Sequence, residues 1–493
     1  MALAVPTGGV LVATVLGGRH AHRVALTVLA TSLALAVLIA RHLLETGEPL
    51  VYLVGGWAPP LGIALRADGL SATMLLMSAV VLLPTALYAL QLLPAPQDGG
   101  ETRVGFAFWI LLIGVAGALN AVFVGHDLFN LYVALELATF AAVPLVCLQG
   151  TPAVLAAALR YLLFALLGSV LYLLGAVLLY GAYGTLDIGL LAARVQPQPT
   201  AWLAGALMTV GLLAKIALFP FHLWLPAAHS GALPPASAVL SALVVKGSFL
   251  LVVRIWFDVL PAVPLELVAQ ILAALGALAI FVGGAMALAQ RRLKLLVAYS
   301  TVAQIGYLFL MFPLLMQPEE SEAVRTGAWL GGALQASSHA CAKAAMFLAV
   351  GLFATRLGHD RIARLGGLGR ALPVPLLAFG LAGMSLIGLP PSGGFVAKWL
   401  LLTAALDSGQ WLWAVVIGAG GLLTGAYIFR VLVVALADRR AGLPPGPAVP
   451  VVAQAMVLVL ASASLLLGLI PFASLGLLEI GRSLPATGVG ELP

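Results

Sequence analysis

Charge is scarce in this sequence. Of its 493 residues only 9% are Asp, Glu, Lys or Arg, while 62% are hydrophobic and the mean hydropathy is +1.12. A soluble domain carries roughly 25% charged residues, so a soluble fold is excluded and the chain reads as an all-α polytopic membrane protein. The net charge of +6 is then a matter of loops and orientation, not a nucleic-acid footprint. Cysteine is nearly absent. Cys147 and Cys341 both sit inside apolar runs, and two isolated thiols cannot hold an iron–sulfur cluster or close a zinc site. The sequence also has no GxxxxGK[ST] loop and no GxGxxG after a strand. These absences predict a chain with no cofactor, no metal and no catalytic chemistry of its own. The start, MALAVPTGGVLVATVLGG, lacks the basic region of a signal peptide and reads as an uncleaved first span.

About fourteen apolar segments follow one another, with no connection long enough for a soluble domain. Helices are the expected form, because lipid offers no partner to an open strand edge. Twelve arginines, Arg439 and Arg440 among them, fall in alternate loops, against six on the other side. By the positive-inside rule both termini then lie on the outer side of the membrane, as does the acidic loop 318–322. The expected setting is a bacterial plasma membrane.

Arginine and lysine are partitioned. There are nineteen arginines, mostly at segment ends, and five lysines: Lys215, Lys246, Lys294, Lys343 and Lys398. Four of the lysines lie within apolar segments, and Lys294 heads the tenth. A buried ammonium can give up its proton, whereas a guanidinium effectively cannot. A lysine at the centre of an inserted helix costs about 2.5–3.5 kcal/mol, so four cost roughly 10–14 kcal/mol. A single such lysine is readily explained by snorkelling or a structural pair. Four in one chain favour a proton path. Glu136 is the only acid deep within a segment and is the expected counter-charge to one of the lysines, while Asp127 opens the same helix. His222, His229 and His339 lie in or beside apolar segments and suit a relay, although a lone buried histidine is as often a hydrogen-bonded core residue.

Two spans look broken. The seventh runs through FPFHLWLPAAHSGALPPAS, where Pro220 and Pro226 each remove a backbone donor. The twelfth reads SLIGLPPSGGFVAKW, interrupted at Pro390–Pro391 and Gly393–Gly394. Interrupted helices at membrane depth are tolerated where they line a polar cavity. A lysine beside a break in each half, Lys215 matching Lys398, suggests two inverted five-helix repeats. The expected organisation is helices 1–3 over 1–104, repeats over 105–258 and 259–437, and a last helix and tail over 438–493.

Six stretches carry a family resemblance across about residues 52–435: DLFNLYVALE (127–136), KIALFPFHLWLPAAH (215–229), SALVVKG (241–247), RRLKLLVAYSTVAQIGY (291–307), HACAKAAMFLAVG (339–351) and GLPPSGGFVAKW (388–399). In this order they resemble the antiporter-like membrane subunit shared by respiratory complex I, energy-converting hydrogenases and Mrp-type cation/proton antiporters. GGWAPPLGIALRADGLSATML (55–75) resembles the D subunit of Mrp antiporters most, while the region 215–247 is more like complex I. The resemblance implies a fourteen-helix fold with two inverted repeats. It implies an ion pair between Glu136 and Lys215, a relay at Lys246, a terminal group at Lys398, and a supporting role for His339 and Lys343. His229, Asp127 and Lys294 are secondary relay candidates.

The expected function is a proton-translocating membrane subunit, like the D subunit of Mrp antiporters, with other membrane subunits as partners and H⁺, or Na⁺ as well, as the transported ion. The alternative within the family is a pumping subunit of an NADH:quinone oxidoreductase or an energy-converting hydrogenase. The alternatives from other classes are a stand-alone proton-coupled solute carrier and a structural subunit with degenerate proton sites. The first of these predicts polar substrate anchors in the spans, and the spans offer mainly Ser, Thr and small residues.

Overall fold

The computed structural model describes residues 1–93, 102–263, 266–316, 321–437, 446–470 and 472–482. Arg439, Arg440 and most of the acidic loop 318–322 lie outside these residues. The helices of the first half are α1 (Ala4–Leu16), α2 (Ala21–Thr46), α3 (Gly69–Leu92), α4 (Arg103–Val124), α5 (Leu128–Cys147), α6 (Pro152–Tyr183), α7 (Ile188–Arg194), α8 (Pro199–Ile216), α9 (Trp224–Gly231), α10 (Pro234–Val239) and α11 (Val245–Arg254). Those of the second are α12 (Glu266–Ala289), α13 (Leu293–Phe309), α14 (Met311–Leu315), α15 (Glu322–Leu357), α16 (Leu368–Ala371), α17 (Pro373–Ile387), α18 (Gly393–Asp407), α19 (Trp411–Leu436) and α20 (Val451–Leu466). Between α2 and α3 the chain forms an antiparallel hairpin, β1 (Leu50–Leu53) with β2 (Ala64–Ala67), which the sequence reading treats as plain loop.

Eleven helical stretches among the described residues are long and apolar enough to cross a membrane. Three of them are composite: α8 with α9, α10 with α11, and α13 with α14. Three further apolar helices, α1, α17 and α20, are shorter. Many helices start on a polar cap at the end of a loop. Asp68, Thr102, Asp127, Thr151, Asp187, Ser321 and Ser392 each accept a backbone N–H of the first turn, each contributing about 1 kcal/mol.

The long helix α15 runs through the centre, packed on α3, α10, α13, α17, α18 and α20, and is buried continuously from Ala328 to Phe353. Lipid tails are as apolar as leucine, so helices associate through close backbone packing. Glycine provides it at two crossings. Between α6 and α8, a Cβ on Gly168 would come within 2.4 Å of the Gly211 carbonyl oxygen. Between α12 and α13, a Cβ on Gly306 would come within 2.3 Å of the Gly276 carbonyl oxygen.

Two π-helical turns flank α11, at Leu240–Val244 and Ile255–Val259. The wider turn shifts the hydrogen-bond register and commonly marks functional positions inside helices. Both helix breaks expected from proline are present. The helix α8 stops at Ile216, where Ala217 takes a left-handed conformation (φ 61°), and Pro220 follows three residues later. The helix α17 stops at Ile387, where Gly388 takes the same role (φ 91°), and Pro391 again follows three residues later.

Three expectations need correction. Pro226 is not part of the break. It occupies the first turn of α9, where its missing N–H is one that has no intrahelical partner anyway. Gly393 and Gly394 do not interrupt α18 but open it. The two lysines also sit on opposite sides of their breaks. Lys215 lies in the half-helix before its break, and Lys398 in the half-helix after.

Candidate functional site

Of the five lysines, Lys215 alone meets a carboxylate among the described residues. Its Nζ donates to Glu136 Oε1 at 3.0 Å and to Thr139 Oγ1, one turn further along α5, at 3.0 Å. The two side chains are 5% and 13% exposed. Glu136 also accepts from the Ser169 hydroxyl on α6. The close α6–α8 crossing is what brings Ser169 to the pair. Beside Lys215 a cavity opens between α5, α6, α8 and the α10–α11 span, lined by Thr139, Tyr161, Val244, Gly247 and Ser248 among others. It connects the pair to the helix that carries Lys246.

The other lysines hold backbone carbonyls. Lys246 Nζ donates to the Ser241 carbonyl, inside the first π turn, at 2.7 Å. The Ser241 hydroxyl bonds that of Thr301 at 2.8 Å, and Thr301 donates to the Val297 carbonyl at 3.1 Å. Lys343 on α15 donates to the same Val297 carbonyl at 2.8 Å and to the Ser300 hydroxyl. Lys246 and Lys343 are therefore joined through one face of α13. Further along that face, Gln304 donates to the Leu386 carbonyl and accepts from Gln335. Lys398 Nζ donates to the Leu386 and Ile387 carbonyls at 2.5 and 3.2 Å and lies 4.1 Å from the centroid of the Tyr307 ring. These carbonyls belong to the last turn of α17, which has no intrahelical donors for them. The negative end of a helix dipole adds to the attraction.

His339 is buried, and neither ring nitrogen has a hydrogen-bond partner among the described residues. It lies within electrostatic reach of Lys246, Lys343 and Lys398. The structure thus brings Glu136, Lys215, Lys246, Lys343, His339 and Lys398 onto a polar row through an apolar interior. Asp127 stands apart, as the N-cap of α5. Burial raises its carboxyl above the usual range, and backbone N–H groups only partly oppose this. His222 stacks on Phe219 within the first break.

Sequence reasoning misses several polar members of the row. Ser241, Ser300, Thr301 and Gln304 follow helical spacing toward one face, and Gln304 and Gln335 are large polar groups in apolar runs, which is the signal that could have found them. A second buried cluster was also missed. Arg254 Nη1 pairs with Asp68 at 2.6 Å and with Asp258 at 2.7 Å, and Nη2 bonds Ser71 Oγ at 3.0 Å. Burial pushes the Asp68 carboxyl up, but the Arg254 guanidinium and the Ser71 N–H outweigh it and hold the carboxyl below its usual range. The i,i+4 spacing of Arg254 and Asp258 was the available clue.

Residues 125–424 match the model of the NADH:quinone oxidoreductase/Mrp antiporter transmembrane family. The chain is 36% identical over 417 residues to NADH-quinone oxidoreductase subunit N of Desulforudis audaxviator, covering 82% of this chain and 79% of that one. It is 28% identical over 386 residues to the D subunit of the Na⁺/H⁺ antiporter of Bacillus subtilis, covering 77% and 74%. Its fold superposes on a chain of the Mrp complex from Dietzia sp. with a TM-score of 0.85 at 27% identity, covering 96% of each chain. With its apolar spans this makes it an integral membrane protein, and the chain belongs to the NADH:quinone oxidoreductase/Mrp antiporter transmembrane family.

Proposed function

We propose that this chain is a proton-translocating membrane subunit of a multisubunit complex. The observation that carries the reading is the buried Glu136–Lys215 pair, opening through a cavity toward a row of lysines held by carbonyls rather than by acids. An ammonium bound to neutral oxygens can release its proton without leaving a carboxylate unpaired. Protons would pass from Glu136/Lys215 to Lys246 and on to Lys398 through ordered water, with His339 and Lys343 supporting the second half. Separating the Glu136–Lys215 pair changes the electrostatic environment of both groups and so moves a proton.

The matching breaks, a left-handed residue followed three residues later by proline, support two inverted repeats over 105–258 and 259–437. The arginine distribution supports a plasma-membrane chain with both termini outside. The relatives are named as the D subunit of an antiporter and as quinone oxidoreductase subunit N, so the partners are further membrane subunits of one of these complexes. The Mrp reading rests on 55–75 and on the fold of the Dietzia chain. The quinone oxidoreductase reading rests on the 36% identity to subunit N.

Purification from native membranes in mild detergent separates these readings. Co-purifying flavin, iron–sulfur or nickel subunits mean a redox-driven pump. Small membrane subunits with a second antiporter-like chain mean a secondary antiporter that exchanges H⁺ for a cation such as Na⁺. Isolation as an intact single chain with undiminished transport would overturn the multisubunit reading in favour of a solute carrier.

A further inference from the structure

Lys294, the second residue of α13, stands outside the row. Its Nζ donates to the Ala232 carbonyl, the C-cap of the half-helix α9. Three residues before Ala232 is His229, which is 0% exposed, with neither ring nitrogen hydrogen-bonded among the described residues. Its ring stacks on Phe347 of α15, with centroids 4.6 Å apart. Phe347 is one turn along α15 from Lys343, and Lys343 bonds the Val297 carbonyl, one turn along α13 from Lys294. His229 is within electrostatic reach of both Lys294 and Lys343. At the other end, Lys294 is within reach of Asp360, which forms an ion pair with Arg292 at 3.1 Å in the loops that also carry Arg291 and Arg361.

Four titratable groups on separate elements therefore lead inward from the arginine-rich surface: Asp360, Lys294, His229 and Lys343. From Lys294 to Ser300, the second partner of Lys343, the climb along α13 is about 9 Å. Packing alone does not account for His229. A phenylalanine would fill the same stack without burying two polar atoms that lack partners. Imidazole is suited to accept a proton on one nitrogen and release one from the other.

We propose that Lys294 and His229 form a proton branch that feeds Lys343 from the arginine-rich face, independent of the Glu136–Lys215 pair; this rests on the proton-translocating reading above. In each passage an N–H bond of the Lys294 ammonium breaks as one forms on the ring. The opposite ring N–H breaks as the neutral Lys343 amine gains a proton, water bridging the gaps. One proton moves and no other reactant is needed. Reprotonation of Lys294 from the surface, past Asp360, resets the branch.

The test uses membrane vesicles containing the whole complex, with proton accumulation normalised to assembled complex. Lys294→Arg preserves a cation for the Ala232 carbonyl but cannot release a proton, so a capping role alone predicts the native rate. The proposal predicts a fall of at least about tenfold for Lys294→Arg and for His229→Phe, with the double variant no slower than the slower single. If either assembled variant runs at the native rate while Lys215→Arg is inactive, the branch is refuted and the proton-translocating reading stands. If all three run at the native rate, that reading itself fails. Should His229→Phe not assemble, Lys294→Arg decides alone.

Discussion

Replacing Lys398 by methionine separates a structural lysine from a transporting one. The ammonium makes two carbonyl hydrogen bonds and lies over Tyr307. Charge-assisted bonds of this kind are worth about 1.5–3 kcal/mol each, and the ring contact about 0.5–2 kcal/mol. Two terms offset the loss. The Leu386 carbonyl keeps its bond from Gln304 Nε2 at 3.2 Å, so only the Ile387 carbonyl is left without this donor. Removing a buried ammonium also recovers about 2.5–3.5 kcal/mol of insertion cost. The net effect is a destabilisation of about 0–3 kcal/mol, small enough for Lys398→Met to assemble. Loss of a proton-transferring group should nevertheless reduce transport by roughly two orders of magnitude. The assay is proton accumulation in vesicles, normalised to assembled complex, alongside thermal stability in detergent. A purely structural lysine gives the reverse pattern: a lower melting temperature with native transport per assembled complex. That pattern would refute the reasoning.

Three further outcomes follow from the geometry. Lys215→Met strands Glu136 in an apolar interior and should cost about 3–5 kcal/mol in detergent stability. The double variant Glu136→Gln/Lys215→Met should recover part of that, and a purely additive cycle would contradict the pair. Gly306→Ala forces a methyl toward the Gly276 carbonyl oxygen and should destabilise the α12–α13 crossing by about 1–3 kcal/mol, read as reduced yield and a lower melting temperature. Pro226→Ala, in the first turn of α9, should change stability by no more than about 0.5 kcal/mol, whereas a proline that made the break would give a larger effect.

What the sequence made legible was scarcity. Five lysines and one deep acid stand out in an apolar chain because each is expensive to insert, and the structure places Glu136, Lys215, Lys246, Lys343 and Lys398 on a shared row. Proline marked both breaks for the same reason, since it cannot continue a helix. Pairing was not legible. Glu136 and Lys215 are 79 residues apart, and only the family resemblance suggested that they meet. Contacts to backbone carbonyls were hidden altogether, because any residue can supply a carbonyl: Ser241 for Lys246, Val297 for Lys343, Ala232 for Lys294. The π turn that offers Ser241 has no residue signature in LSALV. Ala217 in a left-handed conformation gave no warning either, since glycine is the usual marker there. The Asp68–Arg254–Asp258 cluster was read as loop charge because its members sit just at span ends, where exposure is the ordinary outcome.

The central claim is that Lys215 is in the membrane because its charge can be removed. Lys215→Arg tests it most directly. The guanidinium keeps a positive charge beside Glu136 but effectively never deprotonates. The measurement is proton accumulation by native-membrane vesicles carrying the variant at the wild-type level of assembled complex. The account predicts normal assembly and loss of transport. Transport at the native rate with arginine at this position would contradict it.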